Sequence, residues 1–181
     1  GIHNIRNSTA ALAIAHTIGI SKEIIKRGVR EFKGVQRRFN KIFTYKEVEF
    51  FDDYAHHPTE IKEVLNGVKE AYKKEEVVCI FQPHRISRLK DLTNEFSLSF
   101  LKADVVILCP IYTAGEKIKL GFSYLSFAKK IIKNSKVKVY LVKDQNHLTK
   151  FIKQTIYGKK IVIGMGAGSI SNWMRELPKL I

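Results

Sequence analysis

Phe51-Asp52-Asp53-Tyr54-Ala55-His56-His57-Pro58-Thr59-Glu60-Ile61 is the stretch from which the fold can be predicted. The β-branched and aromatic run Val48, Phe50 and Phe51 predicts a strand that ends at two carboxylates. Pro58 fixes φ for a first helical turn, and Glu60 carries negative charge where the helix dipole favours it. Because open α/β sheets bind ligands where strands end beside helix N-termini, this stretch predicts a functional site as well as a fold class.

Short apolar strands alternate with amphipathic helices downstream of this stretch. Strands are predicted at residues 77–81, 105–109, 137–142 and 160–163, with helices at 59–72, 88–102, 122–133, 145–156 and from 170 onward. Upstream, two extended segments joined by a turn at Tyr45-Lys46-Glu47 predict an antiparallel β-hairpin. The predicted fold class is α/β: a Rossmann-like three-layer αβα arrangement whose sheet is mostly parallel, with the hairpin at its start.

Two helices are predicted ahead of the hairpin. The first is capped by Ser8 or Thr9 and ends at Gly19, and the second follows Ser21. Two helices alone do not make a stable domain, so they are expected to be the end of a preceding one. The predicted domains are residues 1–33, comprising these helices, and residues 34–181, comprising the α/β domain.

The formal charge of +15 admits nucleic acid, an anionic membrane or anionic small molecules as partners. The lysines are scattered over predicted helix faces and turns, which favours a solvated surface and leaves a nucleic-acid-binding domain as the alternative. No apolar run approaches the ~20 residues that span a bilayer, so no membrane partner is expected. Cys79 and Cys109 fall in predicted strands and are interpreted as reduced core residues of a cytosolic protein.

Polar clusters follow the predicted strand ends at residues 52–57, 83–88, 110–115 and 164–168. Because parallel strands end at one edge of a sheet, these clusters are expected to meet there. Asp53, Tyr54 and His56 could bind a metal, exchange protons or hold ribose hydroxyls, or Asp53 could simply cap the loop. His57 could orient the loop or contact a ligand.

Arg85 and Arg88 offer guanidinium forks that match carboxylate or phosphate. At a spacing of three residues, both can face one anion from the first turn of a helix, although pairing with Asp91 or Glu95 is the alternative. Gly166-Ala167-Gly168 lets backbone approach a ligand. It lacks the third glycine of a dinucleotide-binding loop, because Ser171 stands there, and dinucleotide binding is not predicted.

Four stretches resemble, in order, motifs of the Mur ligase family. They are Gly1-Ile2-His3-Asn4-Ile5-Arg6-Asn7, the opening stretch from Asp52 onward, Phe81-Gln82-Pro83-His84-Arg85-Ile86-Ser87-Arg88 and Gly166-Ala167-Gly168-Ser169-Ile170. The resemblance implies the C-terminal portion of an ATP-dependent, ADP-forming acid–amino-acid ligase of peptidoglycan precursor synthesis in the bacterial cytoplasm. The pattern is closest to the member that joins L-alanine to UDP-N-acetylmuramate through an acyl phosphate. A member that recycles murein tripeptide is the nearest alternative.

The resemblance also implies roles for individual residues. The implied catalytic residues are His56, Asp53 and Arg85. The implied ATP-binding residues are His3, Asn4, Asn7, Arg38, Asp53 and Tyr54, with Arg38 preferred over Arg37 as the nucleotide-phosphate arginine. The implied substrate-binding residues are His84, Arg85, Arg88 and Tyr54. An N-cap role is the alternative for Asn7, which is expected just before a helix.

The implied cofactors are ATP and Mg²⁺, and the implied substrates are ATP, UDP-N-acetylmuramate and L-alanine. The sequence contains no Gly-Lys-Thr or Gly-Lys-Ser phosphate loop. An N-terminal UDP-binding domain and a central ATP-binding domain, which holds most magnesium ligands, are therefore expected as partners from outside this chain. Alone, the chain is not expected to ligate.

Overall fold

The computed structural model describes residues 2–117 and 123–181, with the backbone only for residues 2 and 3. Its elements are α1 (Ile2–Thr17), α2 (Lys22–Glu31), β1 (Asn40–Tyr45), β2 (Val48–Asp53), α3 (Pro58–Ala71), β3 (Glu76–Phe81), α4 (Ile86–Asp91), α5 (Thr93–Leu98), β4 (Val105–Leu108), α6 (Tyr124–Ser135), β5 (Lys138–Leu141), α7 (Gln145–Thr155), β6 (Lys160–Met165) and α8 (Ile170–Leu180). They form two compact units, residues 1–36 and 37–181. None of the described helices is long and apolar enough to cross a membrane.

The first unit consists of α1 and α2. The Ser21 side chain caps α2 by accepting a hydrogen bond from the Ile24 amide, as predicted. The prediction that Ser8 or Thr9 caps α1 is wrong, because α1 already begins at Ile2. The Thr9 hydroxyl instead donates to the Ile5 carbonyl at 2.9 Å, a bond that lets a threonine sit inside a helix.

The second unit is built on a six-stranded sheet in the order β1-β2-β6-β3-β4-β5. β1 pairs antiparallel with β2, and every other neighbouring pair is parallel. This confirms the predicted fold class. The hairpin turn lies at Lys46 and Glu47, whose φ angles of 46° and 65° are both positive. A two-residue turn of that kind matches the twist of the flanking strands, so the turn forms without glycine.

Both faces of the sheet are covered, and the residues of β3 alternate between two cores. Val77 and Cys79 belong to the core under α3, α5 and α6, whereas Val78 and Ile80 belong to the core under α7 and α8. Cys79 and Cys109 are free thiols with no exposed surface, which confirms their predicted place in the core. Burying each large apolar side chain contributes about 1.5–3 kcal/mol.

The predicted single helix at residues 88–102 is two short helices, α4 and α5. The backbone departs from helical geometry at Leu92 (φ −110°, ψ 25°). The Thr93 hydroxyl donates to the carbonyls of Leu89 and Lys90 at 2.5 and 3.0 Å. These bonds join the first residue of α5 to the last turn of α4, so the two helices remain in contact across the break. The predicted helix start at Phe122 lies outside the described residues.

Candidate functional site

The strands β2, β6, β3 and β4 end side by side at one edge of the sheet. Asp53 pairs with Met165, Met165 with Phe81, and Phe81 with Leu108. The prediction that the polar clusters after these strands meet at one edge is therefore confirmed. We call this edge the site edge.

Four rings form a row along the site edge, which we call the ring row: Tyr54, His56, His84 and Tyr112. Successive ring centroids are 5.0, 5.7 and 5.5 Å apart. Tyr54 and Tyr112 are 36% and 42% exposed. The row therefore places two partly exposed aromatic faces and two imidazole rings at this edge.

Tyr112 was not among the predicted site residues, although it falls in the predicted polar cluster at residues 110–115. Its amide donates to the Pro83 carbonyl at 2.8 Å, and its carbonyl accepts from the Arg85 amide at 2.9 Å. These bonds fasten the segment after β4 to the segment after β3. Only the register of the two segments reveals that Tyr112 stacks on His84.

Asp53 is buried, with both carboxylate oxygens bound to backbone. Oδ1 accepts from the Ala55 amide and Oδ2 from the Phe39 amide, each at 2.8 Å. Burial raises the pKa of the Asp53 carboxyl, against the lowering effect of these bonds and of Arg38. The carboxylate thus holds the segment at Phe39 against the loop after β2, as in the capping alternative for Asp53.

His56 and His57 differ in role, although they are adjacent. Nδ1 of His57 accepts from the Thr59 amide at 3.4 Å, and Glu60 accepts from the amides of both histidines. This capping box assigns His57 to loop orientation. Nδ1 of His56 lies 2.9 Å from the Tyr54 carbonyl and 3.4 Å from Glu60 Oε2. Among the described residues Nε2 of His56 has no hydrogen-bond partner, so it is free to meet a ligand.

Arg37 and Arg38 have separate surroundings. Arg37 Nη2 donates to the Gly166 carbonyl at 2.6 Å, and its guanidinium lies 4.6 Å from the Tyr54 ring centroid. Arg37 therefore links the segment after β6 to the segment after β2. The side chain of Arg38 is exposed, and its positive charge acts to lower the pKa of Asp53. Arg38 is thus the more exposed of the two arginines.

Asp52 is a buried carboxylate that the sequence reading did not single out as a site residue. Oδ2 accepts from the Ser171 hydroxyl at 2.5 Å and lies 3.9 Å from Arg37 Nε and 3.7 Å from Arg175 Nη2. Asp52 Oδ1 and Arg37 Nε are buried without a hydrogen-bond partner among the described residues. The strand pattern indicates this placement. Successive residues of a strand face opposite sides of the sheet, so Asp52 is expected on the face opposite Phe51 and Asp53.

Arg85 precedes α4 rather than lying in its first turn, so the predicted shared turn with Arg88 is wrong. Its φ of 69° and ψ of 133° do not fit a helix. Arg88 Nη1 lies 3.4 Å from His84 Nδ1. Burial, followed by the positive charge of Arg88, lowers the pKa of His84, so its neutral ring can accept from Arg88. Within residues 2–117 and 123–181, neither arginine pairs with Asp91 or Glu95.

The glycines at 166 and 168 are required by close packing. A Cβ on Gly166 would lie 2.8 Å from the Gln82 carbonyl oxygen, and one on Gly168 would lie 2.5 Å from Cγ of Tyr112. Gln82 Oε1 accepts from the Ile170 amide at 3.0 Å, which occupies the N-terminus of α8. The loop thus packs tightly against the segments after β3 and β4.

The structure brings together Tyr54, His56, His84 and Arg88, with Arg85 beside them. Asn4 and Asn7 are exposed on α1 in the first unit, inside the helix rather than just before it, so the N-cap alternative for Asn7 is wrong. The side chain of His3 lies outside the described residues. Among the residues described, no three or more His, Cys, Asp and Glu side chains are grouped to hold a metal ion.

The Mur ligase, glutamate ligase domain family model matches residues 37–168. The UDP-N-acetylmuramate–L-alanine ligase of Pelagibacter ubique (strain HTCC1062) is 77% identical over all 181 residues, which are 39% of that protein. Its counterpart in Bartonella tribocorum is 42% identical over 98% of this chain and 37% of that protein. The chain therefore spans about two fifths of the length of these curated relatives.

Solved structures resemble the chain over nearly its whole length. The UDP-N-acetylmuramate-alanine ligase of Thermotoga maritima has a TM-score of 0.79 and 28% identity, covering 99% of this chain and 37% of that one. A murein peptide ligase from Psychrobacter arcticus 273-4 has a TM-score of 0.73 and 22% identity, again over 99% and 37%. The second likeness is one of fold alone.

Proposed function

Because the chain belongs to the Mur ligase family, we propose that it is the C-terminal portion of a ligase that joins L-alanine to UDP-N-acetylmuramate with ATP. The observation that carries the proposal is the 77% identity, over every residue, to a ligase of that name. The site edge supports it with two imidazoles, two exposed tyrosine rings and two arginines whose charges both act on His84, which suits anionic substrates.

The proposed reaction has two steps. ATP phosphorylates the lactyl carboxylate of UDP-N-acetylmuramate, giving an acyl phosphate and ADP. The amine of L-alanine attacks the acyl carbon, loses a proton and expels phosphate as the amide forms. Both steps develop charge on oxygen, and fixed positive groups lower such barriers most effectively.

Arg85 and Arg88 bind a substrate carboxylate in this proposal, and His84 supports them. A neutral His84 leaves the local positive charge on the guanidinium groups and lets its Nδ1 accept from Arg88. An arginine fork can hold a carboxylate through two parallel hydrogen bonds, which orients as well as binds it.

The nucleotide is bound, in this proposal, by Tyr54, His56 and Arg38. The exposed ring of Tyr54 offers an apolar face, Arg38 offers a guanidinium to phosphate, and Nε2 of His56 faces the transferring group. Asp53 acts through the loop that it fastens, since both of its oxygens are committed to backbone amides. We also propose that His3, Asn4 and Asn7 bind adenine, because an Asn amide offers both the donor and the acceptor that an adenine edge requires.

Magnesium would neutralise the ATP phosphates in such a reaction. The two carboxylates at the end of β2 do not fit this ion: Asp53 is bound to backbone, and Asp52 faces Ser171 and two arginines. We therefore assign no step of this chain's residues to magnesium. We propose instead that its ligands, and a phosphate-binding loop, come from the part of the enzyme that corresponds to the remaining length of the relatives.

The proposal is tested in a chimera. These 181 residues replace the matching 39% of the Pelagibacter ubique relative, and the unchanged relative is the control. The chimera should form ADP and UDP-N-acetylmuramoyl-L-alanine only when ATP, the UDP-sugar and L-alanine are all present. A folded chimera that leaves these substrates unreacted, while the relative ligates them, would contradict the proposal.

The second candidate is a ligase that attaches a whole tripeptide to the same sugar. A murein peptide ligase has the same fold at 22% identity, so the fold does not separate the two candidates. Supplying the chimera with L-alanine or with the tripeptide, at equal concentration, separates the two. A higher kcat/KM for the tripeptide would favour this candidate over the first.

A further inference from the structure

Glu116 is bound to the start of α4, although it is distant in sequence. Its Oε2 accepts from the amides of Ile86 and Ser87 at 2.7 and 3.0 Å, and Oε1 accepts from the Ser87 hydroxyl at 2.6 Å. One carboxylate therefore satisfies two amides that a helix start leaves unpaired. The predicted site did not include it, and a lone glutamate in a loop gives no signal in the sequence.

Arg85, immediately before these amides, has an unfavourable backbone conformation. Its φ of 69° is one that residues with a Cβ rarely adopt, and its ψ of 133° lies outside the left-handed helical well. Such conformations persist where surrounding contacts impose them, and they occur preferentially at functional sites. Here Tyr112 accepts from the Arg85 amide on one side, and Glu116 accepts from the Ile86 amide on the other.

We infer that Glu116 is a positioning residue, which imposes the conformation of Arg85 and thereby sets the affinity for the substrate carboxylate. The inference rests on the proposed function for the identity of that carboxylate. If the carboxylate of Glu116 were absent, two amides would lose their acceptor and the peptide between Arg85 and Ile86 could turn. The Arg85 side chain would then leave its place beside His84.

The charge of Glu116 suits this role. Hydrogen bonds from Ser87 lower the pKa of Glu116, with a smaller contribution from the charge of Arg85. Among the described residues, the titratable groups that interact with Glu116 electrostatically are Arg85 and His84. A glutamine at this position would keep one oxygen for the two amides, and its amide group could donate to Ser87. It should therefore preserve most of the geometry.

The first experiment uses the 181-residue chain and proton NMR. A residue with positive φ brings its amide proton close to its own Hα, which gives a strong intraresidue NOE. The Arg85 NOE should be strong in the unchanged chain and in Glu116→Gln, and weak in Glu116→Ala. Glu70→Ala is the matched control, since Glu70 is an exposed helix residue away from this segment. A strong NOE in Glu116→Ala would overturn the inference.

The second experiment is a double-mutant cycle in the chimera. Glu116→Ala should raise KM about tenfold for one substrate, with kcat changed less than about twofold and partial recovery in Glu116→Gln. In the Arg85→Ala background, Glu116→Ala should have no further effect on KM, because it acts through Arg85. Additive effects would overturn the inference, since they would signify a structural role independent of Arg85.

The two experiments separate failure of the inference from failure of the proposed function. If the unmutated chimera does not ligate alanine, the proposed function fails, and the NMR result still decides whether Glu116 imposes the Arg85 conformation. If the chimera ligates and the KM values of Glu116→Ala and the control are equal, the inference fails and the proposed function stands.

Discussion

Gly168→Ala tests whether the site edge depends on close packing between three separate chain segments. The added Cβ would lie 2.5 Å from Cγ of Tyr112 and 2.6 Å from Oε1 of Gln82. Ordinary carbon contacts lie at about 3.5–4.0 Å, so each neighbour must move by roughly 1 Å. Neither side chain can move easily. The backbone of Tyr112 is hydrogen-bonded on both sides, and the Gln82 amide accepts from the Ile170 amide and donates to the Ser169 hydroxyl.

Overpacking of this kind costs about 1–3 kcal/mol. For a chain of this size each kcal/mol lowers the melting temperature by about 2–4 °C, so a decrease of roughly 2–12 °C is expected. Thermal unfolding can be followed by the fluorescence of Trp173, which lies in α8 of the same unit and is the only tryptophan of the sequence. In the chimera, displacement of Tyr112 should also move His84, which stacks on it, and raise KM for L-alanine or UDP-N-acetylmuramate.

Gly28→Ala is the matched control for this substitution. Gly28 lies inside α2, and a Cβ there would have nothing within 4 Å. Alanine in a helix is favoured over glycine by about 0.5–1 kcal/mol, so the melting temperature should be unchanged or slightly raised. Equal melting temperatures for Gly168→Ala and the unchanged chain would refute the packing argument.

Three further predictions concern stability. Asp144→Ala removes the cap of α7, where Asp144 accepts from the His147 amide at 2.8 Å, and should lower the free energy of unfolding in urea by about 1 kcal/mol; an unchanged midpoint would contradict it. Asp53→Asn replaces one acceptor by a donor and should cost about 1–3 kcal/mol at pH 7. Burial raises the pKa of Asp53 above 3.8, so the folded chain binds this proton more tightly than the unfolded chain. The contribution of Asp53 to the free energy of unfolding therefore falls as pH rises from its unfolded to its folded pKa. The free energy of unfolding of Asp53→Asn, measured over the same pH range, should lack that fall. The pKa of His84 is lowered below 6.5, so its contribution to stability is lost as pH falls below that value, and His84→Gln should lack this loss; an identical pH profile would contradict the assignment.

The layered fold was predictable because its determinants are local. Runs such as Val77 to Phe81 specify buried strands, and the polar residues that follow each strand meet because parallel strands share one edge. The breaks within elements were less predictable. The spacing of apolar residues continues through Leu92, where the backbone departs from helical geometry, so it carries no signal of the break between α4 and α5.

The site was predictable by residue type and less so by role. Asp53 is bound by Phe39, and Arg85 is held by Tyr112 and Glu116, and each of these contacts joins segments distant in sequence. Such pairings depend on the register of the sheet and on the path of the loops. A single sequence supplies neither, which is why Tyr112 and Glu116 were missed and Asp53 was expected to face a ligand.

The most direct measurement is kcat/KM of the chimera carrying Arg85→Ala, determined for L-alanine and for UDP-N-acetylmuramate. Lys90→Ala is the control, because Lys90 is an exposed cation on the same short helix. Arg85→Ala should lower kcat/KM for at least one substrate more than about tenfold, since a charge-assisted carboxylate contact is lost, whereas Lys90→Ala should leave both near the unmutated values. Values of kcat/KM within about twofold of the unmutated chimera for both substrates would contradict a substrate-binding site at this edge of the sheet.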